Sequence, residues 1–144
     1  MLRPLIALTA AAFVALPVAA AGAAGSGSND QIRTYVSNCE KQVYKPKTIT
    51  VFCADAGVII RKIRYQQYNA KVATGTGTAT VNLCEPNCAA GNTKNYKVRF
   101  RLSRVTQCGD AYQYRRLQVR YVGAKPPGAR VINQSFPCAD APTR

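Results

Sequence analysis

In the stretch YKVRFRLSR, residues 96–104, apolar and polar side chains alternate from Tyr96 to Ser103. One face of the extended chain would carry Tyr96, Val98, Phe100 and Leu102, and the other Lys97, Arg99, Arg101 and Ser103. A period of two is the pattern of a β-strand that is buried on one side only. This segment therefore predicts a strand with an apolar inner face and a cationic outer face.

A second stretch, YRRLQVRYVG at residues 114–123, repeats the pattern. Its inward residues would be Leu117, Val119 and Tyr121, and its outward residues Arg116, Gln118 and Arg120. The intervening TQCGDAYQ contains a Cys-Gly-Asp turn signal. The two stretches are therefore expected to form an antiparallel hairpin.

Further strands are predicted at residues 47–53, 58–68 and 73–84, with a short one at residues 129–133. In ATGTGTATVNLC the threonines share one face and Gly75, Gly77, Ala79 and Val81 the other, so a tyrosine is expected to lie over the glycines. No segment after the N-terminal region shows a helical period. The fold class predicted is all-β, an antiparallel meander of five or six strands forming a small disulfide-stapled sandwich or barrel.

The N-terminal segment has the features of a secretory signal peptide. Arg3 precedes the apolar run LIALTAAAFVALPVAA, which Pro17 interrupts, and small residues suited to cleavage follow. The run is too short and too rich in alanine for a membrane span. We therefore expect a signal peptide at residues 1–24, a flexible leader at 25–34 and a single β domain at 35–144, secreted and without an integral membrane segment after cleavage.

Six cysteines in an exported chain predict up to three disulfides. In the expected meander the fourth long strand ends at Cys108, and the return segment brings Cys138 back to the same edge, so we expect these two to pair. The pairing of the other four stays open; they are Cys39, Cys53, Cys84 and Cys88.

The segment CEPNCAAG, residues 84–91, could instead suggest a metal or redox site. Structural zinc needs four ligands, and the chain has no histidine to supply one. A redox centre of the thioredoxin type needs C-x-x-C at the start of a helix, and this spacing is longer. We therefore expect no metal site here, and a covalently closed turn.

Catalysis has few candidate groups in this sequence. A serine or cysteine nucleophile normally needs an imidazole base, and histidine is absent. A carboxylate pair is the remaining route, drawn from Glu40, Asp55, Glu85, Asp110 and Asp140. Asp55 and Asp110 follow turn signals, where aspartate usually bonds its own backbone. We expect no enzyme and no cofactor.

Net charge is the strongest feature of the composition: 20 Lys and Arg against 6 Asp and Glu give +14. Such an excess favours polyanionic partners, although it also serves solubility. The residues expected to form a cationic sheet face are Arg61, Arg64, Lys97, Arg99, Arg101, Arg116 and Arg120. Tyr65 and Tyr68 stand beside the first two and could add aromatic contacts, as in proteins that bind single-stranded nucleic acid.

The segments TITVFCADAG, RYQQYNAKVATGTGT and VNLCEPNCAAG, with the basic hairpin after them, resemble small secreted actinobacterial proteins that carry a C-x-P-x-C-A-x-G motif after a glycine-rich strand. The match includes Cys84, Pro86, Cys88, Ala89 and Gly91, and the resemblance covers residues 43–123. It implies export and a β fold but no mechanism. This chain has Tyr65 and Tyr68 where those proteins often have tryptophan.

Three function classes remain open. The first is an extracellular protein that binds anionic envelope polymer or another polyanion through its basic sheet face. The second is a protease-inhibitor-like module that displays Glu85, Pro86 and Asn87 between the paired cysteines. The third is a hydrolase that uses carboxylates. The charge pattern favours the first.

Overall fold

A computed structural model describes residues 32–139 of the 144-residue chain. This part of the chain contains eight strands. It contains no helix that is long and apolar enough to cross a membrane. The strands are β1 (Thr34–Asn38), β2 (Lys41–Val43), β3 (Ile49–Thr50), β4 (Val58–Tyr68), β5 (Ala73–Asn82), β6 (Thr93–Cys108), β7 (Ala111–Tyr121) and β8 (Val131–Ser135). The expected signal peptide and most of the leader lie outside the described residues, and β1 begins at the last leader residue.

The all-β class is confirmed, but the antiparallel meander of five or six strands is wrong in two respects. The sheet has eight strands, and β1 pairs in parallel with β7, with Thr34 opposite Tyr112. Along the same side of β7, β8 pairs with the second half of the strand, from Arg116 to Arg120. The five residues of β1 and three of β2 are too few to show a clear period in the sequence.

The strand expected at residues 47–53 is much shorter in the structure. Only Ile49 and Thr50 pair with β4, after which the chain turns back towards Val58. Phe52 consequently remains 37% exposed. The short strand expected at 129–133 forms two residues later, and the hairpin of β6 and β7 forms around Gly109 as predicted.

The strands form one mixed sheet in the order β2-β1-β7-β6-β5-β4-β3. Its two ends approach each other, because the Asn38 side chain at the end of β1 both accepts a hydrogen bond from the segment around β3 and donates one to it. Asn38 Oδ1 accepts a hydrogen bond from the Thr50 amide at 2.9 Å, and its Nδ2 donates to the Thr48 carbonyl at 3.4 Å. The Cys39–Cys53 disulfide lies beside these bonds. The sheet is therefore curled into a half-barrel with its core inside.

The core contains the residues that alternation placed inward. On β6 and β7 the side chains of Val98, Leu102, Leu117 and Val119 are at most 1% exposed. The rest of the core comes mainly from β4 and β5. Lys97, Arg99 and Arg101 are exposed on the opposite face. Alternation on these strands is thus confirmed and fixes which side chains reach solvent.

The ring over Gly75 is that of Phe100, and the side chain over Gly77 is that of Ile60, so the expectation of a tyrosine over the glycines of β5 is wrong. A Cβ added to Gly75 would lie 2.7 Å from Phe100 Cζ and 2.4 Å from the Arg64 carbonyl oxygen. Tyr65 is the neighbour of Gly75 on β4, and its ring contacts the Phe100 ring edge to face. Position 75 requires glycine because the backbone of β4 and the Phe100 ring approach it from two sides.

Three disulfides join the cysteines of the described residues. One is Cys108–Cys138, the pair that the strand topology suggested. The others join Cys39 to Cys53 and Cys84 to Cys88, a pairing that the sequence left open. Next to the Cys108–Cys138 disulfide, the buried Gln113 side chain donates to the Ala139 carbonyl at 2.9 Å and accepts a hydrogen bond from the Ala139 amide at 3.2 Å. The C-terminal segment is therefore held against β7.

Removal of the Cys39–Cys53 disulfide should destabilise the fold more than removal of the Cys84–Cys88 disulfide. The two bonds close segments with sequence separations of 14 and 4. Loop entropy then predicts losses of about 3 and about 2 kcal/mol, and the first bond also holds the two ends of the sheet together. Urea unfolding of the two double serine variants measures the difference. The reverse order would show that the sheet ends meet without the disulfide.

Candidate functional site

The outer face of β4 to β7 brings the predicted cationic residues into register. Residues directly opposite one another on paired strands lie on the same face. Thr76 lies between Arg64 on β4 and Arg99 on β6, and Arg120 on β7 is opposite Arg99. The next row places Thr78 between Arg61 and Lys97. Each central threonine of β5 is therefore flanked by a cation on either side.

The remaining predicted cations lie on the same face. Arg101 is opposite Thr74 on one side and Gln118 on the other, and Arg116 is opposite Ser103. All seven predicted cations are exposed except Arg116, which is half-buried. We call this set, together with Lys62, the basic face; its members are Arg61, Lys62, Arg64, Lys97, Arg99, Arg101, Arg116 and Arg120.

An extra residue in β4 gives the basic face two of its arginines. Arg61 and Arg64 are opposite Thr78 and Thr76, so three steps along β4 match two along β5. Residues three apart on a regular strand point to opposite faces. Here Lys62 takes a left-handed backbone with φ of 53°, which turns both arginines outward. β-Bulges commonly redirect side chains in this way.

An open groove of about 450 Å³ runs along β5 on this face. Its floor contains Thr76, Gly77 and Thr78. Lys62 and Arg64 lie on one side of it, and Lys97 and Arg99 on the other. The groove thus has hydroxyl groups at the bottom and cations along both rims.

The carboxylates of the described residues lie away from the strands. None of the eight strands contains Asp or Glu. Glu40, Asp55, Glu85 and Asp110 are exposed in four different connections, and Asp55 Oδ1 accepts a hydrogen bond from the Gly57 amide at 2.9 Å. No group of three metal-ligating side chains occurs within residues 32–139, and Asp140 lies outside them. The basic face therefore has no in-register carboxylate to neutralise it.

The two predicted aromatic residues do not lie on the basic face. Tyr65 and Tyr68 are inside the curl, where their rings contact each other with centroids 5.0 Å apart. The Tyr68 hydroxyl donates to the Thr34 carbonyl at 2.6 Å and the Tyr65 hydroxyl to the Pro46 carbonyl at 2.9 Å. A second register shift between Tyr65 and Gln67 keeps both rings inward. They are structural ties between β4 and the neighbouring segments.

Burial raises the pKa of Tyr65, Tyr68 and Tyr121, and raises that of Tyr114 to about 12. The Tyr114 ring contacts Tyr68, and its hydroxyl donates to the Asn69 carbonyl. In an unfolded chain tyrosine ionises near its ordinary value of about 10. The folded state thus keeps protons that the unfolded chain would lose, because a buried phenolate is poorly solvated.

The free energy of unfolding should therefore fall as the pH rises from about 10 towards 12. Below about pH 10 this contribution is present in full. Urea unfolding at several alkaline pH values, with phenolate absorbance recorded, measures it. Tyr65→Phe should reduce the pH dependence because one ionising group is removed. A free energy that stays constant over this pH range would contradict the burial argument.

The loop closed by Cys84 and Cys88 is organised by its own asparagines. Asn82 Oδ1 accepts from the Cys84 amide at 2.9 Å, and its Nδ2 donates to the Cys88 carbonyl at 2.8 Å. Asn87 Oδ1 accepts from the amides of Ala89 and Ala90. A Cβ on Gly91 would lie 2.3 Å from Asn82 Oδ1. The loop is thus a compact turn, and the side chains of the motif serve its closure.

A second depression, of about 260 Å³, lies at the end of the half-barrel near this loop. Its lining is almost entirely apolar and includes Phe52, Leu83, Tyr121 and Pro126. Asn82 is its one amide side chain. It lies beside the core and has no charged group among its lining residues.

Sequence reasoning missed the groove itself and the threonines that form its floor. The signal was the RKIR segment, whose cations break strict alternation, and the T-x-T repeat beside it.

The resemblance to secreted proteins with a C-x-P-x-C-A-x-G motif assigned no residue a role and stays a prediction. Comparison with known protein families, curated proteins and solved structures found no match to this chain.

Proposed function

We propose that the protein is secreted and non-catalytic, and that it binds anionic polymers of the cell envelope through the basic face. The observation that carries the proposal is the register. Arg64 and Arg99 flank Thr76, and Arg61 and Lys97 flank Thr78, on strands without a single carboxylate. A solubilising surface would only need scattered charges of one sign, whereas these cations are concentrated on one side of the sheet.

The cost of this arrangement also supports a partner. Arg99 and Arg120 are directly opposite on β6 and β7, and like charges in such positions destabilise a sheet. An anionic polymer would relieve the repulsion on binding. The three disulfides and the predicted signal peptide are consistent with a function outside the cell, where such polymers occur.

The other two hypotheses have less support. The Cys84–Cys88 ring is too tight, with Cα atoms 3.8 Å apart, to offer an extended segment to a protease. Glu40, Asp55, Glu85 and Asp110 occupy separate connections, so a hydrolytic pair would need two of these to converge.

The test is retention of the chain, without its predicted signal segment, on heparin and on anionic cell-wall polymer at two salt concentrations. Neutral dextran serves as the control matrix. We expect retention on both anionic materials at low salt, none on dextran, and a steep loss as salt rises, because bound cations release counterions. Failure to bind either anionic material at low salt would overturn the proposal.

A further inference from the structure

We propose that the groove along β5 holds a single polymer strand through its phosphate or sulfate ester groups, and that the units between these groups need not be aromatic. This inference rests on the proposed function and names the ligand class. The proposed ligand is a flexible chain along which a tetrahedral oxyanion ester is repeated. Such esters occur both in polyol phosphates and in sulfated glycans.

The geometry of the groove points to one extended chain. Neighbouring strands are about 4.8 Å apart, so the backbones of β4 and β6 lie about 10 Å apart across β5. Cations from both rims can therefore reach the same strand of polymer between them. The rows of Thr76 and Thr78 follow one another along β5 at about 6.6 Å, so a second pair of cations, Arg61 and Lys97, follows the pair of Arg64 and Arg99.

The floor adds donors that a purely electrostatic surface would lack. The hydroxyls of Thr76 and Thr78 line the groove between the cations. Thr80, farther along β5, already donates its hydroxyl to Asn95 Oδ1 at 2.9 Å. Guanidinium groups and hydroxyls together satisfy the several acceptor oxygens of an ester phosphate or sulfate.

The aromatic side chains of β4 to β6 are committed to the interior. Tyr65 contacts both Tyr68 and Phe100 inside the curl, and Tyr96 contacts Tyr121. Proteins that hold single-stranded nucleic acid stack its bases on aromatic rings beside a basic groove. The groove here presents threonine in that place, so it contacts the backbone of a polymer strand.

The first experiment compares two oligonucleotides of equal length, one with bases and one abasic, because they carry the same phosphodiester charges. We expect dissociation constants within about threefold of each other, since the contacts are to the ester groups. A base-carrying strand that binds about tenfold more tightly would overturn the inference in favour of nucleic-acid recognition. If neither strand, nor heparin, nor poly(glycerol phosphate) binds at low salt, the proposed function itself fails.

The second experiment removes the hydroxyls without changing charge. Thr76→Val with Thr78→Val should weaken binding of the abasic strand about fivefold, while the salt dependence stays as it was. Valine is close in shape to threonine and suits a strand, so the fold should persist. Thr74→Val with Thr80→Val is the matched control on the same strand outside the groove, and should bind like the unaltered chain. Equal affinity of both double variants would overturn the role of the groove floor.

Parallel titrations with heparin and with poly(glycerol phosphate) separate the two sources of ester group. The Thr76→Val and Thr78→Val pair should weaken whichever polymer the groove holds. If the variant binds only heparin more weakly, the ligand of the groove is a sulfated glycan. If it binds only poly(glycerol phosphate) more weakly, the ligand is a polyol phosphate. Loss with both shows that the ester group is sufficient, and loss with neither overturns the inference.

Discussion

Replacing Arg99 and Arg101 with glutamate is expected to weaken binding to heparin about 100-fold at low salt and to flatten the salt dependence. Both side chains are exposed on the outer face of β6, and Arg99 lies on the rim of the groove. Each substitution removes one contact and adds one repulsion, so the effect should exceed that of neutral replacements. Affinity chromatography over a salt series measures both quantities.

The matched control is Lys41→Glu with Lys71→Glu, which changes the net charge by the same amount. Both lysines are exposed, and they lie outside the basic face, on β2 and in the connection from β4 to β5. Their double variant should lose less than about tenfold in affinity, because only the overall field changes. Equal losses for the two variants would mean that net charge alone drives retention.

The single variant Arg99→Glu should also separate function from stability. Arg99 faces Arg120 across the strands, so Arg99→Glu alone replaces a repulsive pair with an attractive one. We expect the free energy of unfolding to rise by about 0.2–1 kcal/mol while binding weakens. A variant that gains stability and loses affinity indicates that the native arginine serves a ligand.

The sequence was sufficient for the fold wherever one face of a long strand is buried. On β5, over residues 96–103 of β6 and over residues 116–121 of β7, apolar and polar residues alternate, and the faces follow from that period. The hairpin also follows, since Gly109 supplies the positive φ that its turn uses. These strands contribute most of the groove, and five cations of the basic face were therefore assigned correctly to an outer surface.

The sequence was insufficient where an extra residue resets the alternation. In β4, Lys62 and the residue before Gln67 each add a step that β5 does not match. A strict period of two in RKIRYQQY would place Arg61 and Tyr65 on one face and Arg64 on the other. In the structure both arginines lie outside and Tyr65 lies inside. In the structure the Tyr65 ring packs on Phe100, a residue far along the chain. Local pattern carries no information about that contact.

Parallel pairing of β1 with β7 was missed for a related reason. The two strands are separated by most of the domain, and only three pairs of residues join them. β1 is also tied to the end of β4 and the connection after it, because Thr34 Oγ1 donates to the Ala70 carbonyl at 3.4 Å and the Tyr68 hydroxyl donates to the Thr34 carbonyl at 2.6 Å. The position of β1 thus involves bonds between segments that no short window of sequence contains.

Gly75→Ala is expected to lower the free energy of unfolding by about 3 kcal/mol, at the upper end of the usual cost of overpacking. The added methyl group would lie 2.4 Å from the Arg64 carbonyl oxygen and 2.7 Å from Phe100 Cζ. Rotation of one side chain cannot relieve both contacts, because the first obstacle is backbone and the ring is already in contact with Tyr65. Urea unfolding, with the denaturant slope compared, measures the loss.

Two neighbours on β5 provide graded controls for this prediction. Gly77→Ala meets Ile60 Cγ2 at 2.8 Å and the Arg61 carbonyl oxygen at 3.0 Å, and should cost about 1–2 kcal/mol because its backbone obstacle is farther away. Thr76→Ala lies between them on the outer face and should cost less than about 1 kcal/mol, through strand propensity alone. Because the carbonyl that blocks Gly75 belongs to Arg64, relaxation of β4 in Gly75→Ala should also displace a rim cation and weaken polymer binding. A Gly75→Ala protein as stable as Thr76→Ala would show that β4 and β5 are farther apart than the register implies.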